Sequence, residues 1–116
     1  MRDDIGYKVL TAAQFAALQA GSFTGAPIDE ADGYIHLSTA AQLTETVLKH
    51  FAGQNGLIIA AVGLAALGDA LRWEVSRGGQ MFPHLYGRLT MAAVRAHGEL
   101  CWNDGAVVLP GDSGDV

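Results

Sequence analysis

The chain has a single cysteine, Cys101, so it can form no internal disulfide and supplies no cysteine set for a zinc finger. Set between Leu100 and Trp102, Cys101 reads as a small core residue rather than a nucleophile. Three prolines and 16% charged residues are too few for a Pro-rich or highly charged disordered chain. No run of about 20 apolar residues and no charged-then-apolar leader appears, so the expected address is the cytoplasm, with no membrane contact. Basic residues are scarce, seven against twelve acids for a formal charge of −5, which disfavours general attraction to duplex nucleic acid or anionic membrane. A local basic pocket stays open. Also missing are a Walker or dinucleotide-type glycine loop and a Gly-x-Ser-x-Gly elbow, which argues against a Rossmann dehydrogenase and a serine hydrolase. The histidines, at 36, 50, 84 and 97, lack short metal-ligand spacing, and no metal is expected.

What is present describes a globular chain: half of its 116 residues are hydrophobic and fifteen are glycine. That length suits one domain, expected over residues 1–109. Residues 110–116, with two glycines and two aspartates among seven, are expected to fray.

IGYKVL reads as a first strand. Thr11-Ala-Ala-Gln14 fits a capping box, with Thr11 as N-cap and Gln14 reaching back, and a helix should run from there to about Ala20. Gly21, Gly25 and Pro27 then punctuate a stretch that reads as a loop up to Asp32-Gly33, long for so small a domain and therefore of functional interest. After a strand YIHL, Thr39-Ala-Ala-Gln42 repeats the capping tetrapeptide. Its helix is better marked, because Ala40, Leu43, Val47 and Phe51 recur on one face and Gly53 stops it.

Leu57 to Val62 is a continuous apolar run, expected at the centre of a sheet. Leu64 to Leu71 suggests helical turns broken at Gly68. Leu71 to Ser76 alternates with period two, directing Leu71, Trp73 and Val75 one way and Arg72, Glu74 and Ser76 the other. Arg77 to Gln80 is a turn, Pro83 to Gly87 an extended piece that proline should confine to an edge or a strand start, and Ala93 to Trp102 a final strand.

Chemistry concentrates in two segments. In YIHLS, parity sends Ile35 and Leu37 to the core and Tyr34, His36 and Ser38 to the opposite face. Ser38 and Thr39 stand at a helix start, where backbone N-H groups and the helix dipole favour an anion; they could equally do no more than cap the helix. In Arg72 to Gly87, His84 and Tyr86 share a face, Arg77 could pair with a phosphate or carboxylate, and Glu74 could orient a ribose hydroxyl or act as a base. Trp73 and Phe82 read as core.

GSFTG, DGYIHLST, KHFAGQ, LRWEVSRGG and FPHLYG, in this order and spacing, resemble the family called domain of unknown function 952, over roughly Tyr7 to Val94. The resemblance implies an α+β fold similar to that of ADP-ribosyltransferases: two small mixed or antiparallel sheets split around a cleft, with two main helices. It also implies NAD, or a related small phosphate-bearing ligand, in the cleft. By the same comparison Lys8 stands where a first basic residue would, and His36 takes the key position of the second strand. Glu74 is the candidate for the transferase acid. Lys8, His36 and Arg77 resemble the set of the RNA 2′-phosphotransferase branch. His36 and Glu74 would then be catalytic, and Lys8, Tyr34, Ser38, Thr39, Arg77, His84 and Tyr86 would bind the ligand. Two further readings stay open: a non-catalytic module for a small ligand or protein segment, and a hydrogen-bonded interior seam in which His36 is structural.

Overall fold

The computed structural model describes residues 4–111. Strand β1, Ile5–Leu10, leads into helix α1, Ala12–Ala20, through the expected capping box: Thr11 Oγ1 accepts from Gln14 N, and Gln14 Oε1 accepts from Thr11 N. The repeated tetrapeptide does the same for helix α3, Ala40–His50, with Thr39 and Gln42 in the two roles.

Between them lies a difference from the sequence expectation. Residues read as loop contain helix α2, Pro27–Asp32, which begins with proline at its first turn and closes on Gly33 in the left-handed region. Asp29 Oδ2 accepts from Ala26 N, so an acid at the third helical position does the capping where Ala26 offers no side-chain acceptor. Six residues are too few to display helical periodicity. The Pro-start and Gly-stop signals were nonetheless in the sequence.

Strand β3, Ile58–Gly63, takes the centre of an antiparallel sheet between β1 and β6, Val94–Glu99, as its continuous apolar run implied. On one face Tyr7, Val9, Ile59 and Ala61 pack with Leu43 and Val47 of α3; on the other, Leu10, Ala60 and Val62 meet Phe15 and Leu18 of α1. After β3 come 3-10 turns over Leu64–Ala70, broken at Gly68 as expected.

The second sheet is ordered β2-β5-β4, from Ile35–His36, Met81–Leu85 and Leu71–Val75, again antiparallel throughout. Pro83 therefore sits in a central strand, not at an edge or a start. In an antiparallel ladder a residue's N-H and C=O point to the same neighbour. The Pro83 carbonyl accepts from Leu37 N, just beyond the end of two-residue β2, so the missing donor faces a place where no strand continues. Among the described residues one isolated β-bridge joins the two sheets, Tyr7 N to Ser38 O at 2.7 Å and Ser38 N to Tyr7 O at 2.9 Å.

The last expected strand is shorter than read. β6, Val94–Glu99, ends before Leu100, and a hairpin follows, β7 at Trp102–Asn103 and β8 at Ala106–Val107. Its loop, Asp104-Gly105, has positive φ at both residues, 53° and 79°, the conformation an Asp-Gly pair favours in a two-residue turn. Cys101 is exposed beside this hairpin, contrary to the core placement expected from its apolar neighbours. Of the tail, residues 112–116 lie outside the described residues. The result is an α+β chain of small antiparallel sheets with α1, α3 and the additional short α2.

Candidate functional site

The joint between the sheets opens into a cleft of about 580 Å³. β1 contributes Lys8, the segment around β2 contributes Tyr34, His36 and Ser38, and β5 contributes His84. Ile28 of α2, Phe51 at the end of α3 and Phe82 supply apolar wall.

Parity delivers this arrangement. Ile35, Leu37 and Leu85 are buried in the core, which turns Tyr34, His36, His84 and Tyr86 to the other face of the second sheet. His36 and His84 are direct cross-strand partners. The four rings form a contact group: Tyr34 stacks on His84 with centroids 4.2 Å apart and planes 26° apart, and lies 4.6 Å from His36 and 5.1 Å from Tyr86. Arg72, opposite His84 on β4, places its guanidinium carbon 5.2 Å from the Tyr86 ring centre.

Two carboxylates that the sequence reading did not single out organise the group. Asp29 is buried; its Oδ2 takes Lys8 Nζ at 2.8 Å and its Oδ1 takes His36 Nδ1 at 2.7 Å and His36 N at 3.0 Å. Asp32 Oδ2 lies 3.0 Å from His36 Nε2. Burial pushes the Asp29 carboxyl up, but the hydrogen bonds from His36 and the charge and hydrogen bond of Lys8 outweigh it and bring the pKa down to about 2. For Lys8 the balance goes the other way: burial lowers its pKa, and the nearby Asp29 offsets only part of that. An ionised carboxylate only accepts hydrogen bonds. With a carboxylate oxygen against each ring nitrogen, His36 has both nitrogens committed.

His84 is held differently. Its Nδ1 is 2.8 Å from Glu74 Oε1, the oxygen that also accepts from Tyr86 OH at 2.8 Å. Those two hydrogen bonds, from His84 first and then Tyr86, lower the Glu74 pKa, while Glu74 raises that of Tyr86. Burial, then the charges of Asp32 and Glu74, push the Tyr34 phenol up.

The expected site residues divide as follows. Lys8, Tyr34, His36, Ser38 and His84 line one cleft, whereas Glu74 and Tyr86 do not line it and are tied to it through the Glu74 contact with His84. Ser38 Oγ is 2.9 Å from Thr46 Oγ1, and Thr39 is spent on its capping box and does not line the cleft. The Arg77 side chain lies outside the described residues. Phe82 is buried and Trp73 packs partly buried against the core, as expected. Asp29 was hidden from sequence reading because its partners come from β1 and β2; the available signal was an acid three residues into a Pro-started turn, just ahead of DGYIH.

Among the described residues no group of three or more His, Cys, Asp or Glu side chains is placed to hold a metal ion, and no helix is long and apolar enough to cross a membrane.

No curated protein matches the chain. Among solved structures, the crystal structure of protein CC0527 from Caulobacter crescentus, a structural-genomics target, is 43% identical, with a TM-score of 0.82 over 90% of this chain and 94% of that one. The solution NMR structure of the same protein superimposes with a TM-score of 0.76 at 42% identity, over 90% of this chain and 91% of that one. The family model described as protein of unknown function (DUF952) matches residues 9–97. The chain belongs to the DUF952 family.

Proposed function

We propose that the cleft binds NAD or a related phosphate-bearing nucleotide in the cytoplasm, on a fold of the ADP-ribosyltransferase type, in support of ADP-ribosyl or RNA 2′-phosphate transfer. The observation that carries this reading is the ring group: Tyr34 stacked on His84 and flanked by His36 and Tyr86 at the edge of an otherwise largely apolar cleft. Flat, partly polar surfaces of this kind suit a base or a pyridinium ring and its ribose. A volume of about 580 Å³ accommodates the ring-and-ribose end of a dinucleotide, with the phosphates left at the mouth. Arg72, beside Tyr86, would supply the cation for them; Lys8 is already matched by Asp29. Two antiparallel sheets joined at one bridge and opening between them agree with the split-sheet architecture that the family resemblance implies.

One observation favours a second reading, a binding module without turnover. Glu74, the candidate acid, does not line the cleft, and Asp32, which does, is tied to His36. Isothermal titration with NAD, ADP-ribose and a 2′-phosphorylated RNA, on wild-type protein and Tyr34→Ala, tests the first reading. Binding that Tyr34→Ala weakens supports it. Folded wild-type protein that binds none of the three sinks it. Binding without product formation, followed by mass spectrometry, selects the second.

A further inference from the structure

We infer that His84, rather than His36, is the proton acceptor of the cleft, with Glu74 as its positioning carboxylate, and that it takes the proton of a ligand hydroxyl. The ligand class rests on the nucleotide reading above, in which the donor is a ribose hydroxyl.

The two histidines look alike in sequence and are paired across β2 and β5, yet their nitrogens are committed differently. His36 has a carboxylate oxygen within 3.0 Å of each ring nitrogen, Asp29 on Nδ1 and Asp32 on Nε2. To accept a proton it would first have to release a carboxylate. His84 has one carboxylate, Glu74, at Nδ1, and the ring lines the cleft. Its Nε2 takes no hydrogen bond from the described residues, and since no buried side-chain nitrogen or oxygen among them lacks a partner, Nε2 is not sealed in but is the nitrogen open to the cleft.

The tautomer then follows from donor and acceptor arithmetic. Glu74 already receives the Tyr86 O-H and, ionised, can only accept. The His84 Nδ1 must therefore donate. When the ring is neutral, its single proton is on Nδ1 and Nε2 carries a bare lone pair. In the proposed step that lone pair forms an N-H bond with the hydroxyl proton, and the O-H electron pair stays on oxygen. The ring becomes an imidazolium whose charge faces Glu74. The groups around it are Glu74 and Arg72 from β4, Tyr34 and His36 from the β2 segment, and Tyr86 following β5. Of these, Glu74 contacts the ring nitrogen and Tyr34 fixes the ring plane. Paired on both sides within the central strand, His84 has little freedom to reorient, as a preorganised base requires.

Long-range ¹H–¹⁵N spectra of the histidine rings test this in the ligand-free protein, with the ring in its neutral form. The expected result is a proton on Nδ1 and an unprotonated Nε2, and loss of that preference in Glu74→Gln, an exposed-strand change that leaves the core untouched. Adding ADP-ribose should then move the His84 Nε2 resonance upfield as it accepts a hydrogen bond. A proton on Nε2 in the wild type overturns the inference whatever the protein binds. ADP-ribose that binds by calorimetry without moving Nε2 overturns it too, and leaves the nucleotide reading standing. A proton on Nδ1 with no nucleotide binding removes the function proposed above and the ribose as donor, and supports His84 as the acceptor.

Discussion

Lys8 Nζ lies 2.8 Å from Asp29 Oδ2, with the two side chains 7% and 1% exposed. The pair ties β1 to α2, and both members reach the second sheet at His36 of β2: Lys8 donates to its carbonyl at 3.1 Å and Asp29 accepts from its ring and backbone N-H. Removing one member of a buried pair leaves the other charge uncompensated, which costs about 3–5 kcal/mol. The loss should be asymmetric. In Lys8→Met, Asp29 keeps its hydrogen bonds from His36 and Ala26. In Asp29→Asn, Lys8 keeps a carbonyl but no counter-charge. Urea unfolding is expected to show Asp29→Asn losing the larger amount, Lys8→Met less than half of it, and the double variant recovering part of the Asp29→Asn loss.

The same carboxylate governs acid stability. Its pKa is lowered from 3.8 to about 2 on folding, so the folded state binds the proton less readily than the unfolded chain. A depressed carboxyl contributes stability that is fully present above the unfolded value and is lost as pH falls through the folded one. The window is therefore pH 4 down to 2, and the amount is about 2 kcal/mol for this group. Thermal unfolding across that window should show the decline in wild type and a flatter profile in Asp29→Asn.

Much of the fold was legible because its signals are local. Both TAAQ caps, the apolar stripe of α3, the β3 run and the inward aim of Ile35 and Leu37 depend on neighbours within a turn or a strand. Parity also placed Tyr34 with His36, and His84 with Tyr86, on one face. What could not be read was set by distant partners. Nothing near Asp29 in sequence announces that Lys8 will arrive beside it. Pro83 is tolerated centrally only because β2 is two residues long. Cys101 is exposed in the gap where β6 has ended at Glu99 and the separate hairpin has yet to begin at Trp102.

Gly25 is a local requirement of this site. Its φ of +119° is one that side chains rarely adopt, and a Cβ there would stand 2.9 Å from Asp29 Cβ. Gly25→Ala therefore strains the backbone and pushes on the residue that holds Lys8 and His36. A loss of about 1–3 kcal/mol is expected, accompanied by shifts of the His36 ring resonances. Stability unchanged within error would show that the α2 entry can relax without cost.

Thr39 separates a capping role from an anion-binding one. Its hydroxyl accepts from Gln42 N at 3.3 Å while its N-H donates to Gln42 Oε1 at 3.0 Å. Thr39→Ala should cost about 1 kcal/mol, as loss of a helix N-cap does. With the side chain off the cleft, nucleotide affinity should be unchanged. An affinity loss exceeding the stability loss would return the start of α3 to the ligand site.

Tyr34 gives the sharpest test of the ring group. It touches His36, His84 and Tyr86 through its ring, and among the described residues no side-chain hydrogen bond to its hydroxyl accompanies those contacts. Tyr34→Phe retains the stacking face and should bind ADP-ribose nearly as wild type does. Tyr34→Ala removes a stacking contact of about 1–3 kcal/mol, the scale of a base on an aromatic platform, which corresponds to about fivefold to a hundredfold in affinity. Because the Tyr34 ring also orients His84, the alanine variant should broaden or shift the His84 ring signals before any ligand is added. Equal affinities in the phenylalanine and alanine variants would show that the ring group serves the protein interior rather than a ligand, and would leave the apolar wall of Ile28, Phe51 and Phe82 as the binding surface to probe next.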